Sequence, residues 1–389
     1  MTFAFSSRLT FWYSMFARFL VLIAGLSLFV GCNSDTTPSS SVVSEVGTSG
    51  DAGPVVGSTP ADPKEAVAAI EAVTKKVRRD SAGFIIDVDF RDLVISDSDL
   101  IPLTELKRLR AVRLGGTAVT DEALKTIGQL SNLEDLDLRE CGISDDGLAA
   151  LSQLNKLKAL RLSGKSGACS VSDDGMVHVA KLKNLKVLAI DYLWVSEDGV
   201  NAFLGLDNLQ ELYMAETTIG NESVELFAKF PNLKKLRLAR NQIDATGVAN
   251  LPKIQLLEEL DLSECAQLFD DAMGPLAELK NLKKLNLWRV NISDVGVEPL
   301  KELTGLEYLN LDNTRLSDEG TPYLSGMKNL TFLHLGSTQI TDDGLASLEG
   351  LSKLADLKVT RTAVTQERVD QLGKILPDTK IQLEYIEGQ

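Results

Sequence analysis

The hydrophobic positions of this chain follow one spacing, leucine-x-x-leucine-x-leucine, which returns about every 24 residues from Ile85 almost to the C-terminus. About twelve such rows begin at Ile85, Leu109, Leu133, Leu157, Leu185, Leu209, Leu233, Leu257, Leu282, Leu306, Leu330 and Leu354. Within the Leu330 row, alternating leucines predict a short strand, and Leu345, Leu348 and Leu351 at a spacing of three predict a helix. Each repeat is therefore predicted to be a strand, a turn and a helix, stacked on its neighbours in one solenoid.

Two polar positions recur in the rows, and both suit a structural role. A Ser/Thr-Asp step precedes seven of the predicted helices, at Ser96-Asp97, Thr120-Asp121, Ser144-Asp145, Ser172-Asp173, Ser293-Asp294, Ser317-Asp318 and Thr341-Asp342. Its hydroxyl or carboxylate can accept hydrogen bonds from the first helical turn. In eight rows the ninth position is Thr, Asn or Cys, at Thr117, Cys141, Thr217, Asn241, Cys265, Thr314, Thr338 and Thr362, and these side chains can bond to the backbone inside the coil. An acidic ladder of metal sites is the alternative, but capping explains the residue type and its place in the rows.

The ninth-position residue, the following isoleucine, the Ser/Thr-Asp step and the glycine resemble the repeats of leucine-rich repeat proteins over about three quarters of the chain. The particular form is similar to repeats of bacterial exported proteins and of eukaryotic F-box substrate receptors. The resemblance implies an α/β fold, a right-handed leucine-rich repeat solenoid with a curved parallel sheet on the concave face and helices on the convex face.

The N-terminus carries a different signal. Residues 1–31 contain two arginines and then an apolar run too short to span a bilayer comfortably, which is typical of a secretory signal peptide. The run ends in Leu28-Phe29-Val30-Gly31-Cys32, which resembles the lipobox of bacterial lipoproteins except at Phe29. The resemblance implies lipidation of Cys32 and a protein exported to the cell envelope, lipid-anchored to a bacterial membrane. A plain signal peptide and an uncleaved signal anchor are the alternatives.

The remaining boundaries follow from composition and pattern. Residues 32–61 are rich in Ser, Thr, Gly and Pro and are predicted to be a flexible stalk. Residues 62–84 are predicted to be an N-terminal capping helix, with Ala66, Ile70, Val73 and Val77 forming its apolar stripe. The repeats are predicted over residues 85–376 and a C-terminal cap over 377–389, where one last strand is expected.

The net charge of the chain limits the class of partner. The net charge is −15, which repels phosphate backbones and makes nucleic acid an unsuitable ligand.

Cys141 and Cys265 occupy ninth positions and are predicted to be buried, whereas Cys169 is predicted to lie in a loop. A disulfide between Cys141 and Cys169 is the less favoured possibility, because ninth-position cysteines suit a buried apolar role.

Catalytic motifs are missing from the sequence. The two histidines, His178 and His334, have no second histidine near them, and no zinc-protease, serine-nucleophile or dinucleotide motif occurs. Gly164-Lys165-Ser166 resembles the end of a phosphate-binding loop, but Ala159 stands where a glycine is required. We interpret residues 164–170 as an insertion between strand and helix, either a loop beside a binding face or neutral variation. Asp87, Asp89 and Asp92 favour a solvated acidic edge over a cation site, so no cofactor, metal or catalytic role is predicted.

Strand alternation identifies the side chains that point out of the concave face. Early rows present Asp87, Asp89, Arg113, Asp135, Asp137 and Arg161. Aromatic and basic residues gather later, and the predicted ligand-binding set is Tyr213, Lys235, Arg237, Arg240, Trp288, Arg289, Tyr308, Asn310, Phe332 and His334. Trp288, Tyr308 and Phe332 are predicted to lie on successive strands about 5 Å apart. They form either a stacking platform or a shield for the sheet.

Three functions fit these patterns. The first is a non-enzymatic, membrane-anchored lipoprotein that binds a protein, peptide or glycan on its concave face, which the aromatic and basic residues favour. The second is an F-box-like substrate receptor of a ubiquitin ligase, opposed by the missing F-box segment and the signal sequence. The third is a passive scaffold of the cell envelope.

Overall fold

The chain folds into stacked coils whose strands form a single sheet. The structure is a computed structural model that describes residues 61–385. In this part of the chain, 14 strands lie side by side in sequence order. The strands are β1 Val77–Arg79, β2 Ile85–Asp89, β3 Ala111–Arg113, β4 Asp135–Asp137, β5 Ala159–Ser163, β6 Val187–Asp191, β7 Glu211–Tyr213, β8 Lys235–Arg237, β9 Glu259–Asp261, β10 Lys284–Asn286, β11 Tyr308–Asn310, β12 Phe332–His334, β13 Asp356–Lys358 and β14 Lys380–Gln382.

The strands are aligned by the fourth position of each row, counting its first leucine as one. Leu285 of β10 pairs with Leu260 on one side and with Leu309 on the other. The same alignment runs from Val88 to Ile381, and these pairs are parallel. Their side chains belong to one aliphatic core that continues from coil to coil. The predicted α/β solenoid with a parallel sheet is therefore confirmed.

The helical part of most coils is short, and in several coils all or part of it is wound as a 3₁₀ helix rather than as an α-helix. The α-helices are α1 Lys64–Val73, α2 Asp121–Ile127, α3 Asp145–Leu148, α4 Asp173–Val179, α5 Glu197–Ala202, α6 Asn221–Phe227, α7 Ala245–Val248, α8 Asp294–Val297, α9 Asp342–Ala346 and α10 Gln366–Ile375. The 3₁₀ helices are Asp97–Glu105, Ala149–Gln153, Leu251–Lys253, Asp270–Ala272, Pro275–Glu278, Glu298–Glu302 and Thr321–Leu324. Leu148, Leu151 and Leu154 are all buried. Their spacing of three matches the three residues per turn of a 3₁₀ helix, which explains the tighter winding.

The aspartate of the Ser/Thr-Asp step connects one coil to the next. Asp294 Oδ1 accepts a hydrogen bond from the Ser317 amide at 2.8 Å, and its Oδ2 accepts one from the Ser317 hydroxyl at 2.6 Å. The same double contact recurs at Asp97, Asp121, Asp145, Asp173, Asp270, Asp318 and Asp342. The hydroxyl caps its own helix in some rows, for example at Thr341. The carboxylate acts instead between coils, which the local capping argument did not predict.

Both ends of the repeat array are covered. In α1, Ala66 and Ile70 are buried as the stripe predicts. The helix ends at Val73 because Thr74 is extended and its hydroxyl donates to the Asp89 carbonyl at 2.7 Å. The prediction that Val77 continues the helical stripe is therefore wrong, since it begins β1, which pairs antiparallel with β2. At the other end, β14 is the expected last strand.

The insertion after β5 is shorter than predicted, and Cys169 lies outside it. Cys169 is buried, and the next amide, of Ser170, donates to the Ile143 carbonyl at 2.9 Å. Gly142, which follows the ninth-position Cys141, makes the same contact one coil earlier, to Val119. Cys169 is therefore the ninth-position residue of its row, and the extra residues are 165–168.

The predicted signal peptide, Cys32 and the stalk up to residue 60 lie outside the described residues, as do residues 386–389. Between residues 61 and 385, no helix has the length and apolar character that crossing a bilayer requires.

Candidate functional site

The predicted binding residues divide into two groups by their place in the coil. Tyr213, Lys235, Arg237, Tyr308, Asn310, Phe332 and His334 lie on strands β7, β8, β11 and β12, at the third or fifth position of their rows. Arg240, Trp288 and Arg289 lie beyond the ends of their strands. We call the exposed side of positions three and five the concave face, and the row of eighth positions the strand-end edge.

The aromatic platform has two members rather than three. The rings of Tyr308 and Phe332 stack with their centroids 4.4 Å apart and an angle of 4° between their planes. Lys284, not Trp288, is the residue in register with Tyr308. Trp288 is at position seven of its row, so the prediction that it continues the stack on a neighbouring strand is wrong. Because residue 284 is the position of β10 that lies beside Tyr308, a side chain would have to be at residue 284 to continue the stack. Trp288 lies four residues further along the chain.

Basic side chains in the middle of the concave face are already paired with carboxylates. Lys235 Nζ lies 3.2 Å from Glu211 and 3.5 Å from Glu259. Burial lowers the pKa of Lys235, but the hydrogen bond to Glu211 and the two acidic charges outweigh burial and raise the pKa overall. Arg237 similarly lies between Asp191 at 3.2 Å and Asp261 at 3.4 Å. These cations are therefore less available to a ligand than their positions on the strands predict.

Arg240 and Arg289 belong to an alternating ladder of charges on the strand-end edge. Arg240 contacts Glu216 at 2.8 Å and Glu264 at 2.7 Å, and Arg289 contacts Glu264 at 3.3 Å. All four residues have positive φ angles between 50° and 59°. This backbone conformation recurs at the eighth position of nearly every row and aims the side chains along the edge rather than across the concave face.

The acidic residues of the first rows are paired with arginines, and the expectation of a solvated edge is wrong for two of them. Asp87 is 7% exposed and contacts Arg78 and Arg113. Asp89 bonds to Arg91 at 2.7 Å, which lowers the pKa of Asp89 to about 2. Residues 61–385 contain no cluster of three or more His, Cys, Asp or Glu side chains placed to hold a metal ion.

A recess of the described residues lies where the last strands end. It has a volume of about 500 Å³ and is lined by residues from positions five, seven and eight of the last rows, together with Gln382 and Tyr385. We call it the C-terminal recess. Trp288, Arg289, Asn310 and His334 of the predicted set line it. The sequence analysis missed its other lining residues, Asp312, Asn313, Ser337, Lys358, Thr360, Arg361, Gln382 and Tyr385.

Polar groups converge at the floor of the C-terminal recess over Gly336. A Cβ atom on this glycine would stand 2.7 Å from Thr360 Oγ1 and 2.9 Å from both Asp312 Oδ1 and His334 Nε2. His334 Nε2 itself is 3.9 Å from Asp312 Oδ1, too far for a direct hydrogen bond. Burial lowers the pKa of His334, and Lys358 lowers it further, against the raising effect of Asp312. The imidazole is therefore neutral near pH 7.

A second, smaller recess of about 220 Å³ lies on the concave face beside the stack. Its lining includes Leu236, Leu260, Tyr213 and Tyr308. The Tyr213 hydroxyl donates to Glu211 Oε2 at 2.7 Å, and burial raises the pKa of this tyrosine above its usual value. Its aliphatic lining distinguishes this recess from the C-terminal recess.

Other elements predicted from the sequence lie away from both recesses. The loop at residues 165–168 is held by the Ser166 amide, which donates to Glu140, and Lys165 lies 5.9 Å from the Tyr192 ring centroid. Cys141, Cys169 and Cys265 are buried free thiols, so the possible disulfide between Cys141 and Cys169 is not formed.

Comparisons with known proteins bear on the fold. Models of leucine-rich repeats match residues 280–340, 129–152 and 231–251. A search of curated proteins gives no match to this sequence.

Among solved structures, an internalin from Listeria monocytogenes is similar at 18% identity over 84% of this chain and 96% of its own, with a TM-score of 0.55. A leucine-rich repeat protein from Leptospira interrogans is 18% identical over 77% of this chain and 90% of its own, with a TM-score of 0.39. The plant peptide hormone receptor RGFR1, in complex with RGF2, is 16% identical over 79% of this chain and 59% of its own, with a TM-score of 0.42. The similarity to the internalin supports the fold.

Proposed function

Since this chain is a leucine-rich repeat protein, we propose that it is a non-enzymatic binding protein that holds a protein, peptide or glycan ligand on its concave face. The observation that carries this proposal is the half-buried Tyr308–Phe332 stack on β11 and β12. Tyr308 lines the smaller recess, and Asn310 and His334 of the same two strands line the C-terminal recess. Flat aromatic surface of this kind contributes strongly to binding, because it offers area at a small entropy cost.

The distribution of charge supports the same end of the sheet. Cations in the central rows are paired with carboxylates, as at Lys235 and Arg237. Lys358 and Arg361 line the C-terminal recess and, within residues 61–385, form contacts with aromatic rings but no salt bridge. The last rows therefore combine aromatic surface with cations that an incoming ligand can pair.

The test is photocrosslinking of the full chain in native envelopes, with the double variant Tyr308→Ser and Phe332→Ser. We expect the variant to lose the crosslinked partner. Trp194→Ser is the matched control, because Trp194 is 75% exposed and lies outside both recesses. Equal crosslinking by the double variant and the wild type would rule out this face, and no specific partner for either would favour a passive scaffold.

We further propose that the protein is exported and anchored to a bacterial membrane through lipidated Cys32. The support is the sequence Leu28-Phe29-Val30-Gly31-Cys32 at the end of an apolar run. Cys32→Ala or globomycin treatment is expected to block cleavage of the signal peptide before residue 32. Either is also expected to change the share of the chain found in the membrane fraction. Unchanged processing would exclude lipidation, and localisation of a tagged chain inside a eukaryotic cell would favour the ubiquitin-ligase alternative instead.

A further inference from the structure

The C-terminal recess differs in chemistry from the smaller recess on the concave face, which Leu236 and Leu260 help to line. Of its twelve lining residues, none has an aliphatic side chain. Five are neutral hydrogen-bonding residues, namely Asn310, Asn313, Ser337, Thr360 and Gln382. Each amide or hydroxyl side chain both donates and accepts hydrogen bonds. Such a lining suits a ligand with many hydroxyl groups better than one with apolar side chains.

The charge around the recess favours an anion. Arg289, Lys358 and Arg361 supply three cations, whereas Asp312 is the one carboxylate in the lining. Glu264 contacts Arg289 at 3.3 Å and neutralises part of this charge. The excess is still positive, in a chain whose net charge is −15. An acidic ligand is therefore attracted to this site.

The floor of the recess leaves hydrogen-bonding groups without direct partners. The 3.9 Å gap between His334 Nε2 and Asp312 Oδ1 is too long for one hydrogen bond but suits a hydroxyl that bridges them. Within the described residues, Gln382 Oε1 is buried and has no donor. Gly336 permits this convergence, because a Cβ atom would stand within 2.9 Å of three polar atoms.

Aromatic rings form two walls of the site. The Arg289 guanidinium lies 5.5 Å from the Trp288 ring centroid, and the Arg361 guanidinium lies 3.6 Å from that of Tyr385. Rings held in this way present large, rigid surfaces next to a cation. A sugar ring with one acidic substituent matches this combination, because its C–H face can pack on the Trp288 ring while its anionic group meets the Arg361 guanidinium.

We infer that the C-terminal recess binds a carboxylate-bearing saccharide, with the acid group at Lys358 and Arg361 and ring hydroxyls at the Gly336 floor. The volume of about 500 Å³ lies within the range of about 300–1,000 Å³ found for small-ligand sites. This inference rests on the proposed function of the concave face and gives its ligand a chemical class. An acidic peptide is less well matched, because its side chains carry carboxylates but no ring hydroxyls for the five neutral hydrogen-bonding residues of the lining.

Calorimetric titration of the full chain with a galacturonic acid hexamer tests the inference. We expect binding of the acidic hexamer and none of a neutral glucose hexamer. Lys358→Glu and Arg361→Glu should each weaken binding by about tenfold or more, since each removes a charge-assisted contact. Lys181→Glu is the control for charge, because Lys181 is exposed and outside the recess.

Gly336→Ala tests the floor and is expected to weaken binding as well. Gly115→Ala is its matched control, because Gly115 occupies the same seventh position in an early row. A Cβ there would meet its nearest neighbours at 3.5 Å, an ordinary contact. Unfolding curves establish that each variant is folded. Should Gly336→Ala not fold, Thr360→Val removes one floor hydroxyl at nearly constant volume and is expected to weaken binding in its place.

Two results would overturn the inference. One is equal binding of the acidic and neutral hexamers. The other is tighter binding of a glutamate hexapeptide than of the acidic sugar, which would favour the peptide class. If either occurs while crosslinking still depends on Tyr308 and Phe332, the proposed binding function stands and only the saccharide assignment fails.

Discussion

The carboxylate of Asp318 lies 2.4 Å from the point where a Cβ atom on Gly344 would stand. That carboxylate accepts hydrogen bonds from the amide of Thr341 at 2.7 Å and from its hydroxyl at 2.6 Å. The glycine, one coil later, leaves the space that the aspartate needs. The aspartate of one coil and the glycine in the helix start of the next coil are therefore one device for joining neighbouring coils.

A double-mutant cycle measures this device. Gly344→Ala should lower the free energy of unfolding by about 1–3 kcal/mol, because the new methyl group overlaps Asp318. Asp318→Ala should also cost about 1–3 kcal/mol, because the Thr341 amide loses its acceptor. In the double variant the glycine substitution should cost less, giving a coupling of about 0.5 kcal/mol or more in urea unfolding curves. Strict additivity of the two costs would contradict the steric link.

The repeat pattern predicted the coils well, because each inward leucine has a structural equivalent in every neighbouring row. Leu260, Leu285 and Leu309 are aligned although the row between the first two contains an extra residue. The pattern could not reveal that Asp318 serves the following coil, since capping arguments consider only one helix at a time.

The candidate site was predicted less completely, for two physical reasons. Strand ends cannot be read from alternation alone, so Trp288 was assigned to a strand that ends at Asn286. The C-terminal recess depends partly on a missing side chain, at Gly336, and on residues after the last complete row, such as Gln382. An alignment of positions five, seven and eight of the rows through residue 382 would have identified Lys358 and Arg361 as candidate binding residues.

The three described cysteines should be unreactive in the folded chain. Burial raises the pKa of Cys169 to about 11 and that of Cys265 to about 12, and it also raises that of Cys141. Because the thiolate is the reactive form, labelling at pH 8 should be slow until the chain unfolds. In a Cys32→Ser variant, Ellman's reagent should then titrate three thiols in urea and almost none without it. Rapid labelling of one thiol in the folded chain would place that cysteine at the surface.

His334 should titrate below the ordinary histidine value of 6.5. Burial disfavours its cation and Lys358 acts in the same direction, while Asp312 and Asp356 oppose them. NMR titration of the imidazole signals, assigned with a His178→Gln variant, gives the pKa directly. We expect Asp312→Asn to lower this pKa further and Lys358→Met to raise it. Movement of the pKa in the opposite directions would contradict the recess geometry.

The same shift has a consequence for stability. The unfolded chain binds a proton at His334 at a higher pH than the folded chain does. The contribution of the neutral imidazole to the free energy of unfolding is therefore present above pH 6.5 and lost as the pH falls through the folded pKa. Comparison of wild type with His334→Gln across this range isolates the effect, which should disappear in the variant.

Removal of residues 165–168 should restore a row of ordinary length without unfolding the chain. Cys169 already occupies the buried ninth position, and β5 pairs with β6 in register across the insertion. Gly164, which would take the eighth position, can adopt the positive φ that this position requires. The deletion removes the hydrogen bond from the Ser166 amide to Glu140, so we expect the free energy of unfolding to fall by about 1 kcal/mol.

Deletion of residues 141–144 is the control, because it removes the buried Cys141 and Ile143 and should abolish cooperative unfolding. A loss as severe on deleting residues 165–168 would mean that the insertion, rather than Cys169, holds this coil in place.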